Sequence, residues 1–245
     1  MTQWSGTGFW LKMMAVSSSV HGTSQKVGIL STKSDATGGK NLDSRMVIKR
    51  LLDVFLSGIA VVLLAIPLLF IAVAIRLDSK GPALFRQERI GKDAQPFMIW
   101  KFRTMKQGAE AETTHIYIGA DNPNITRIGY WLRRWALDEL PQLLNVFKGD
   151  MSLVGPRPTL RYQVERYDER QKLRLQVKPG LTGWAQVNGR NKLNWSQRME
   201  YDIWYVQHWS LRMDAKIMLL TPMAVLRRDF AYADDAAQDD IVRPV

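Results

Sequence analysis

Apolar residues along this chain form one long run and several short ones. The long run covers residues 54–75, which makes 22 positions without a charged side chain. As a straight helix it would be about 33 Å long, enough to cross the hydrocarbon core of a bilayer. The pattern therefore predicts a membrane helix, which we place at residues 45–78.

Two features of this run bear on its topology. Pro67 lies inside it and removes a helical backbone hydrogen bond, which favours a kink. Basic residues flank both ends, among them Lys49, Arg50 and Arg76, so the positive-inside bias gives no direction of crossing. The residues alone leave two topologies open: a single-pass anchor, and a re-entrant segment that enters and leaves on one face.

The remaining patterns are short and of mixed type. Strand-like runs at residues 83–85 and 97–100 alternate with turn residues. Helical patterns follow, and they lie at residues 125–137, 158–177, 194–209 and 217–226. The second of these carries a dense charge that predicts a solvated helix at 158–177. The last is too short to span a bilayer, which predicts a core or interfacial helix.

These patterns predict a helix-rich α+β protein with a small β element. A compact domain at residues 79–228 follows the membrane helix. Residues 1–44 are rich in Ser, Thr and Gly and predict a flexible extension, and the acidic residues 229–245 predict a disordered tail.

Composition adds a preference for anionic partners. The chain of 245 residues has a formal net charge of +11, nine tryptophans and no cysteine. The charge favours phosphates, nucleic acid or an anionic membrane face, and tryptophans are common at membrane interfaces. The lack of cysteine excludes disulfides, thiolate metal sites and a cysteine nucleophile, and the three histidines have no metal-ligand spacing.

Two adjacent carboxylates, Asp138 and Glu139, stand just before Pro141. Proline favours the first turn of a helix, and the helix dipole stabilises acidic side chains there, so ordinary capping explains the pattern. Catalysis explains it as well, because an ionised aspartate can attack phosphorus and form an acyl phosphate. A substrate phosphate can share this position if Mg²⁺ or arginine offsets the repulsion.

Three basic residues are candidates for binding that phosphate. Lys101 and Arg103 are two apart and would point the same way in a strand, although a solvated face against anionic lipid also explains them. Pro156 and Pro158 restrict the backbone around Arg157. A rigidly held guanidinium is well suited to clamping a phosphoryl group.

Taken together and in this order, the motifs resemble the monotopic phosphoglycosyl transferases, the bacterial sugar transferases, in their small minimal class. The similarity extends over residues 46–226. The matching motifs lie at residues 48–53 (IKRLLD), 101–105 (KFRTM), 137–145 (LDELPQLLN), 149–158 (GDMSLVGPRP) and 179–183 (PGLTG).

The resemblance implies a fold and a place in the cell. The membrane segment is expected to be a re-entrant helix–break–helix with its break at Pro67, although Ile66 stands where the family often has serine. It is followed by a compact cytosolic catalytic domain with amphipathic interfacial helices that contact membrane lipids. The expected location is the cytoplasmic face of the bacterial inner membrane.

The resemblance also implies a reaction. Asp138 attacks the β-phosphorus of a UDP-sugar and expels UMP, and undecaprenyl phosphate then takes the phosphosugar from the enzyme. Mg²⁺, held at Asp138 and Glu139, neutralises the diphosphate. Further expected site residues are the phosphate-binding Arg133, with Lys101 and Arg157, and the acidic Asp202 and Asp214. A simpler interpretation of Asp202 is an ion pair with Arg198 one helical turn earlier.

Two other functions compete with this one. A non-catalytic, membrane-anchored module that binds anionic lipid or a polyanion would explain the charge and the tryptophans without Asp138. A nucleic-acid-binding protein would explain the charge but not the uncharged run at residues 54–75, so no nucleic-acid partner is expected.

Overall fold

The computed structural model of the protein describes residues 36–109, 122–189 and 192–226. Within these ranges the protein is a helix-rich α+β molecule with one long apolar helix and a compact domain, as predicted. Of the extension predicted at residues 1–44, residues 1–35 lie outside the described residues, as does the tail at 229–245, whereas residues 36–44 are helical. The helices are α1 Ala36–Asp78, α2 Arg127–Arg134, α3 Leu143–Lys148, α4 Arg161–Val164, α5 Trp184–Val187, α6 Trp195–Gln207 and α7 Leu211–Leu226.

Helix α1 begins at Ala36, nine residues before the boundary placed at residue 45. Its stretch from Ser44 to Asp78 is long and apolar enough to cross a membrane. The helical backbone continues through Pro67, so the expected break is not seen as a loss of helix. An effect of Pro67 on this helix would therefore take the form of a bend.

Helix α1 is bound to the compact domain on both sides of its apolar run. Before the run, Lys49 forms an ion pair with Asp214 at 2.6 Å, and the Asp53 carboxylate accepts a hydrogen bond from the backbone N–H of Leu153 at 3.0 Å. Near its end, the Asp78 carboxylate accepts a hydrogen bond from the N–H of Ile128 at 3.0 Å. Between Asp53 and Asp78, the middle of α1 projects away from the domain.

That projecting middle is apolar and uncovered. The side chains of Val62, Leu63 and Ile66 are 75%, 72% and 69% exposed. Burying apolar surface of this size lowers the free energy by roughly 25 cal/mol per Å², so water is an unfavourable environment for it. The exposed apolar run is therefore more stable in a nonaqueous medium, or against another apolar surface, than in water.

Two small sheets support the domain. Strands β1 Leu84–Ile90 and β2 Pro96–Phe102 form an antiparallel hairpin in which Phe85 pairs with Lys101 and Arg89 with Phe97. The hairpin confirms and lengthens the two predicted strands. The other sheet is parallel and joins β3 Ser152–Val154 to β4 Gly180–Thr182.

The parallel sheet explains the two glycine-containing motifs at residues 149–158 and 179–183. A Cβ atom on Gly180 would lie 2.1 Å from the backbone nitrogen of Gly155, closer than any side chain allows. The two motifs therefore pack backbone to backbone, which only glycine permits at this position. Their contact fixes the start of the loop that carries Arg157.

The prediction of one solvated helix at residues 158–177 is wrong. The structure has the short α4, followed later by a 3₁₀ turn at Gln171–Gln176. Tyr167 and Arg174 are buried, and Arg174 makes contacts far away in the sequence. Because these two side chains enter the core, the segment folds inward instead of lying as one solvated helix.

The pattern at residues 217–226 predicted a core helix or an interfacial helix, and α7 has features of both. Ile217 and Ala224 are buried in the domain, whereas Leu219, Met223 and Leu226 are exposed. One face of α7 is thus part of the core and the other is an exposed apolar face. Such a helix is suited to lying at a membrane interface.

Candidate active site

The two adjacent carboxylates lie where the sequence predicted, in the first turn of a short helix. Asp138 and Glu139 begin a 3₁₀ turn at Leu137–Gln142, and Pro141 lies within it. Ala136, directly before this turn, has a left-handed backbone with φ of 54°, which is uncommon for a residue other than glycine. The sharp change of direction at Ala136 separates α2 from the acidic turn.

Glu139 is buried and is held by two cations. Arg157 donates two hydrogen bonds to it, from Nη2 to Oε1 at 2.6 Å and from Nη1 to Oε2 at 3.1 Å. The Lys101 ammonium lies 3.4 Å from Oε1. Arg157 is thereby oriented through a bidentate pair, the strongest geometry available to an arginine and a carboxylate. Glu139 thus brings Arg157 and Lys101 beside the half-buried Asp138.

The electrostatics of this cluster make Lys101 a titratable group near neutral pH. The pKa of Lys101 is lowered to about 8, chiefly by burial and also by the charges of Arg157 and Arg89. The carboxylates of Glu139 and Asp138 act in the opposite direction but do not outweigh burial. Burial also acts to lower the pKa of Arg157, but Glu139 and Asp138 outweigh it and raise that pKa. Arg157 therefore keeps its charge at every physiological pH, whereas Lys101 loses its charge as pH rises through about 8.

A buried ion pair supports the loop that carries Arg157. Arg174 and Asp202 lie 2.5 Å apart, and each side chain is 3% exposed. Arg174 also donates a hydrogen bond to the backbone carbonyl of Arg157 at 2.8 Å and another to the hydroxyl of Tyr167. Asp202 thus pairs with Arg174 rather than with Arg198, the partner that helical spacing suggested.

We expect Asp202→Ala to lower the free energy of unfolding by about 3 kcal/mol or more, because it leaves the Arg174 guanidinium buried without its partner. For a domain of this size, the midpoint of thermal unfolding should fall by about 6 °C or more. The matched control is Glu200→Ala, which breaks the exposed ion pair with Arg170 that joins the same part of the chain to α6. That change should cost less than about 1 kcal/mol. Equal shifts for the two variants would contradict a supporting role for the buried pair.

Three other candidate residues have hydrogen-bond partners other than Glu139. The Arg103 guanidinium donates hydrogen bonds to Ser79 and Pro82 in the segment that follows α1. Arg133 donates from Nε to the Thr104 hydroxyl at 2.8 Å. Asp214 accepts hydrogen bonds from Lys49, Tyr205 and Trp209 and so anchors α1.

The expectation that Lys101 and Arg103 point the same way is wrong. Strand β2 ends at Phe102, so the alternation of side chains does not extend to Arg103. Arg103 is buried against the end of α1, and Lys101 lies beside Glu139. Arg103 is therefore part of the junction between the helix and the domain.

One basic residue near the acidic pair escaped the sequence interpretation. Arg89, on β1, lies close enough to Arg157 and Glu139 for both charges to affect its pKa. The observed hairpin register, which the sequence does not give, puts Arg89 on the same face of the sheet as Lys101.

A bound Mg²⁺ would have a restricted choice of protein ligands. Among the residues that the structure describes, no group of three or more His, Cys, Asp or Glu side chains is arranged to hold a metal ion. Both oxygens of Glu139 already accept hydrogen bonds from Arg157, whereas Asp138 next to it offers a carboxylate in the same turn. Mg²⁺ commonly uses one or two carboxylates and takes its other ligands from substrate phosphates and water. The donor set therefore fits Mg²⁺ held by Asp138 together with a substrate, with Glu139 engaged elsewhere.

Comparison with known proteins assigns the chain to a family. A profile described as "Bacterial sugar transferase" matches residues 44–228, which include α1 from Ser44 onward and every residue of the candidate site. The chain therefore belongs to the bacterial sugar transferase family, and the resemblance inferred from its motifs is confirmed.

The similar proteins include long and short relatives. An uncharacterized sugar transferase, EpsL, of Bacillus subtilis is 42% identical over 74% of this chain and 88% of its own length. The UDP-glucose:undecaprenyl-phosphate glucose-1-phosphate transferase of Escherichia coli is 42% identical over 71% of this chain but 39% of its own length. The undecaprenyl-phosphate galactose phosphotransferase of Salmonella typhimurium is 39% identical over 77% of this chain and 42% of its length. The chain thus spans most of the first relative and less than half of the other two.

Proposed function

We propose that this protein is a phosphoglycosyl transferase that moves a sugar 1-phosphate from a UDP-sugar to undecaprenyl phosphate. The observation that carries the proposal is the arrangement around Glu139, which holds Arg157 and Lys101 beside Asp138. Two named relatives act on undecaprenyl phosphate, and one of them uses UDP-glucose. A non-catalytic lipid-binding module would not need a bidentate Arg157–Glu139 pair next to a second carboxylate.

In the proposed first step, a carboxylate oxygen of Asp138 attacks the β-phosphorus of the UDP-sugar. A bond forms between that oxygen and phosphorus, and the bond from phosphorus to the bridging oxygen breaks. UMP leaves with the electron pair, and the sugar phosphate stays on Asp138 as an acyl phosphate. Arg157 and Lys101 stabilise the negative charge on the phosphoryl oxygens.

In the proposed second step, a phosphate oxygen of undecaprenyl phosphate attacks the same phosphorus. The acyl phosphate bond breaks and restores the Asp138 carboxylate, and the product is the diphosphate-linked sugar. Mg²⁺ bound at Asp138 and the substrate would neutralise charge on the diphosphate. Because Glu139 keeps Arg157 and Lys101 in place throughout, the same pocket can serve both steps.

The proposed location is the cytoplasmic face of the bacterial inner membrane, with α1 as a re-entrant segment. The support comes from Lys49 and Asp53 before the apolar run of α1 and Asp78 after it, which all bind the same compact domain. A domain that stays on one side of the membrane can bind both ends only if the helix returns to that side. The exposed apolar residues in the middle of α1 would then contact lipid tails.

The re-entrant topology predicts where single cysteines react. Ser44→Cys and Gln107→Cys are convenient because both positions are exposed and the chain has no cysteine of its own. In intact spheroplasts, a membrane-impermeant maleimide should label neither variant, and after lysis it should label both. Adding Pro67→Leu to Ser44→Cys favours a straight spanning helix and should expose the cysteine to outside reagent. Labelling of Ser44→Cys from outside without Pro67→Leu would rule out the re-entrant topology.

The activity should depend on pH through Lys101. Below a pKa of about 8 the Lys101 side chain is protonated and can attract phosphate, and as pH rises through this value the charge is lost. The kcat/KM for UDP-sugar should therefore fall about tenfold between pH 7 and pH 9. Lys101→Arg, which stays charged, should keep a nearly constant kcat/KM over this range. A similar decline in both enzymes would show that another group titrates.

The proposed function is tested with detergent-purified protein, Mg²⁺, undecaprenyl phosphate and a panel of UDP-sugars. UMP release with at least one sugar, and a matching lipid-linked diphosphate sugar, is the expected result. Protein that binds lipid but releases no UMP with any UDP-sugar would favour the non-catalytic alternative.

A further inference from the structure

Arg89 shares a face of the β1–β2 hairpin with Lys101. Phe85 pairs with Lys101 across the hairpin, and side chains two or four residues apart along a strand point the same way. Arg89 is four residues after Phe85, and its Nη2 donates a hydrogen bond to the side chain of Gln87, on the same face, at 2.6 Å. Both cations thus project from the side of the hairpin that faces Glu139.

The end of β1 also lies against the loop of Arg157. The backbone N–H of Ile90 donates a hydrogen bond to the carbonyl of Thr159 at 2.9 Å. Arg89 precedes Ile90, and Arg157 is two residues before Thr159. The hairpin and the loop therefore bring Arg89 to the same cluster as Arg157, Lys101 and Glu139.

Within the described part of the chain, Arg89 has no carboxylate in an ion pair. Its Nε is buried and has no hydrogen-bond partner there, and its one side-chain partner, Gln87, is neutral. Glu139, the carboxylate that acts on the pKa of Arg89, is already bound by Arg157 and Lys101. Burial and Arg157 lower the pKa of Arg89 to about 10, against the opposing effect of Glu139 and Tyr162. A partly buried guanidinium without a compensating anion is costly, so the arrangement is suited to receiving one.

We propose that Arg89 is a further substrate-binding residue, which binds phosphate oxygens of the substrate that reacts at Asp138. This inference rests on the proposed function. A guanidinium with a free Nε recognises phosphate through paired N–H donors. The phosphate has two possible sources, the diphosphate of the UDP-sugar and the phosphate of undecaprenyl phosphate, and the two half-reactions separate them.

The test compares Arg89→Gln and Arg89→Lys with wild type in each half-reaction. UMP release from UDP-sugar without acceptor measures the donor arm, and transfer from the preformed adduct to undecaprenyl phosphate measures the acceptor arm. Arg89→Gln should raise the half-saturating substrate concentration at least about tenfold in one arm or both, and Arg89→Lys should recover part of the loss. The matched control is Arg86→Gln, since Arg86 is exposed and lies over the Trp100 ring at 3.9 Å. Unchanged concentration dependence of Arg89→Gln in both arms would overturn the inference.

A thermal unfolding measurement separates this role from a structural one and from failure of the proposed function. Because Arg89→Gln removes an uncompensated charge, the variant should unfold at the same or a higher temperature than wild type. Added inorganic pyrophosphate should stabilise wild type by a clear shift and Arg89→Gln by less than half of it. A lower unfolding temperature, or equal stabilisation of both proteins by pyrophosphate, would count against Arg89 as a phosphate ligand even if wild type releases no UMP. If wild type is active and Arg89→Gln is normal in both arms, only the assignment of Arg89 fails.

Discussion

Replacing Asp138 with asparagine should lower the turnover number by at least about a thousandfold. Asparagine has nearly the same shape but lacks the anionic oxygen that forms the acyl phosphate, and loss of a nucleophile typically costs several orders of magnitude. UMP release at saturating UDP-sugar and undecaprenyl phosphate measures the effect. Asp150→Asn is the matched control, because Asp150 lies twelve residues after Asp138 and forms its ion pair with the exposed Lys148. It should change turnover less than about threefold.

The variant should still fold, since Asp138 is only half-buried. An unchanged unfolding temperature together with lost turnover would separate a chemical defect from a structural one. Normal turnover of Asp138→Asn would favour the non-catalytic alternative or a different nucleophile.

Replacing Arg157 with lysine should lower the rate at least about tenfold, on the order of 1.4 kcal/mol of transition-state stabilisation. Lysine keeps the charge but cannot form the two parallel hydrogen bonds that Arg157 donates to Glu139. Glu139 would then hold its cation less firmly, and the phosphoryl group would lose a fixed donor.

The matched control for Arg157 is Arg161→Lys. Arg161 is exposed and donates two hydrogen bonds to Glu88, so the same loss of a guanidinium occurs four residues along the chain. Arg161→Lys should have a near-normal rate. Equal rates for the two variants would show that the bidentate pair with Glu139 does not matter for transfer.

The sequence predicted the parts of the site that depend on local chemistry. Pro141 and the dipole of a helix start were enough to place Asp138 and Glu139 in a first turn, and the structure agrees. Short strand-like runs at residues 83–85 and 97–100 predicted two strands, which the structure lengthens and pairs as the hairpin that carries Lys101. The Gly-Pro-Arg-Pro motif indicated a rigid loop around Arg157, and the close contact of Gly155 with Gly180 gives the physical reason.

Long-range partners could not be predicted in the same way. Helical spacing suggested Arg198 for Asp202, but Arg174 is the partner, 28 residues away. Lys101 and Arg103 are two residues apart, but their side chains point in different directions because strand β2 ends between them. In each case a tertiary contact, which periodicity does not report, decides the direction of the side chain.

The central claim is that Asp138, and not Glu139, becomes covalently attached to the sugar phosphate. The most direct measurement is mass spectrometry of peptides from protein incubated with UDP-sugar and Mg²⁺ but without lipid acceptor. Wild type should gain one sugar phosphate on Asp138, Asp138→Asn should gain none, and Glu139→Gln should form the adduct slowly. An adduct on Glu139, or none on the wild-type protein while UMP is released, would contradict the account.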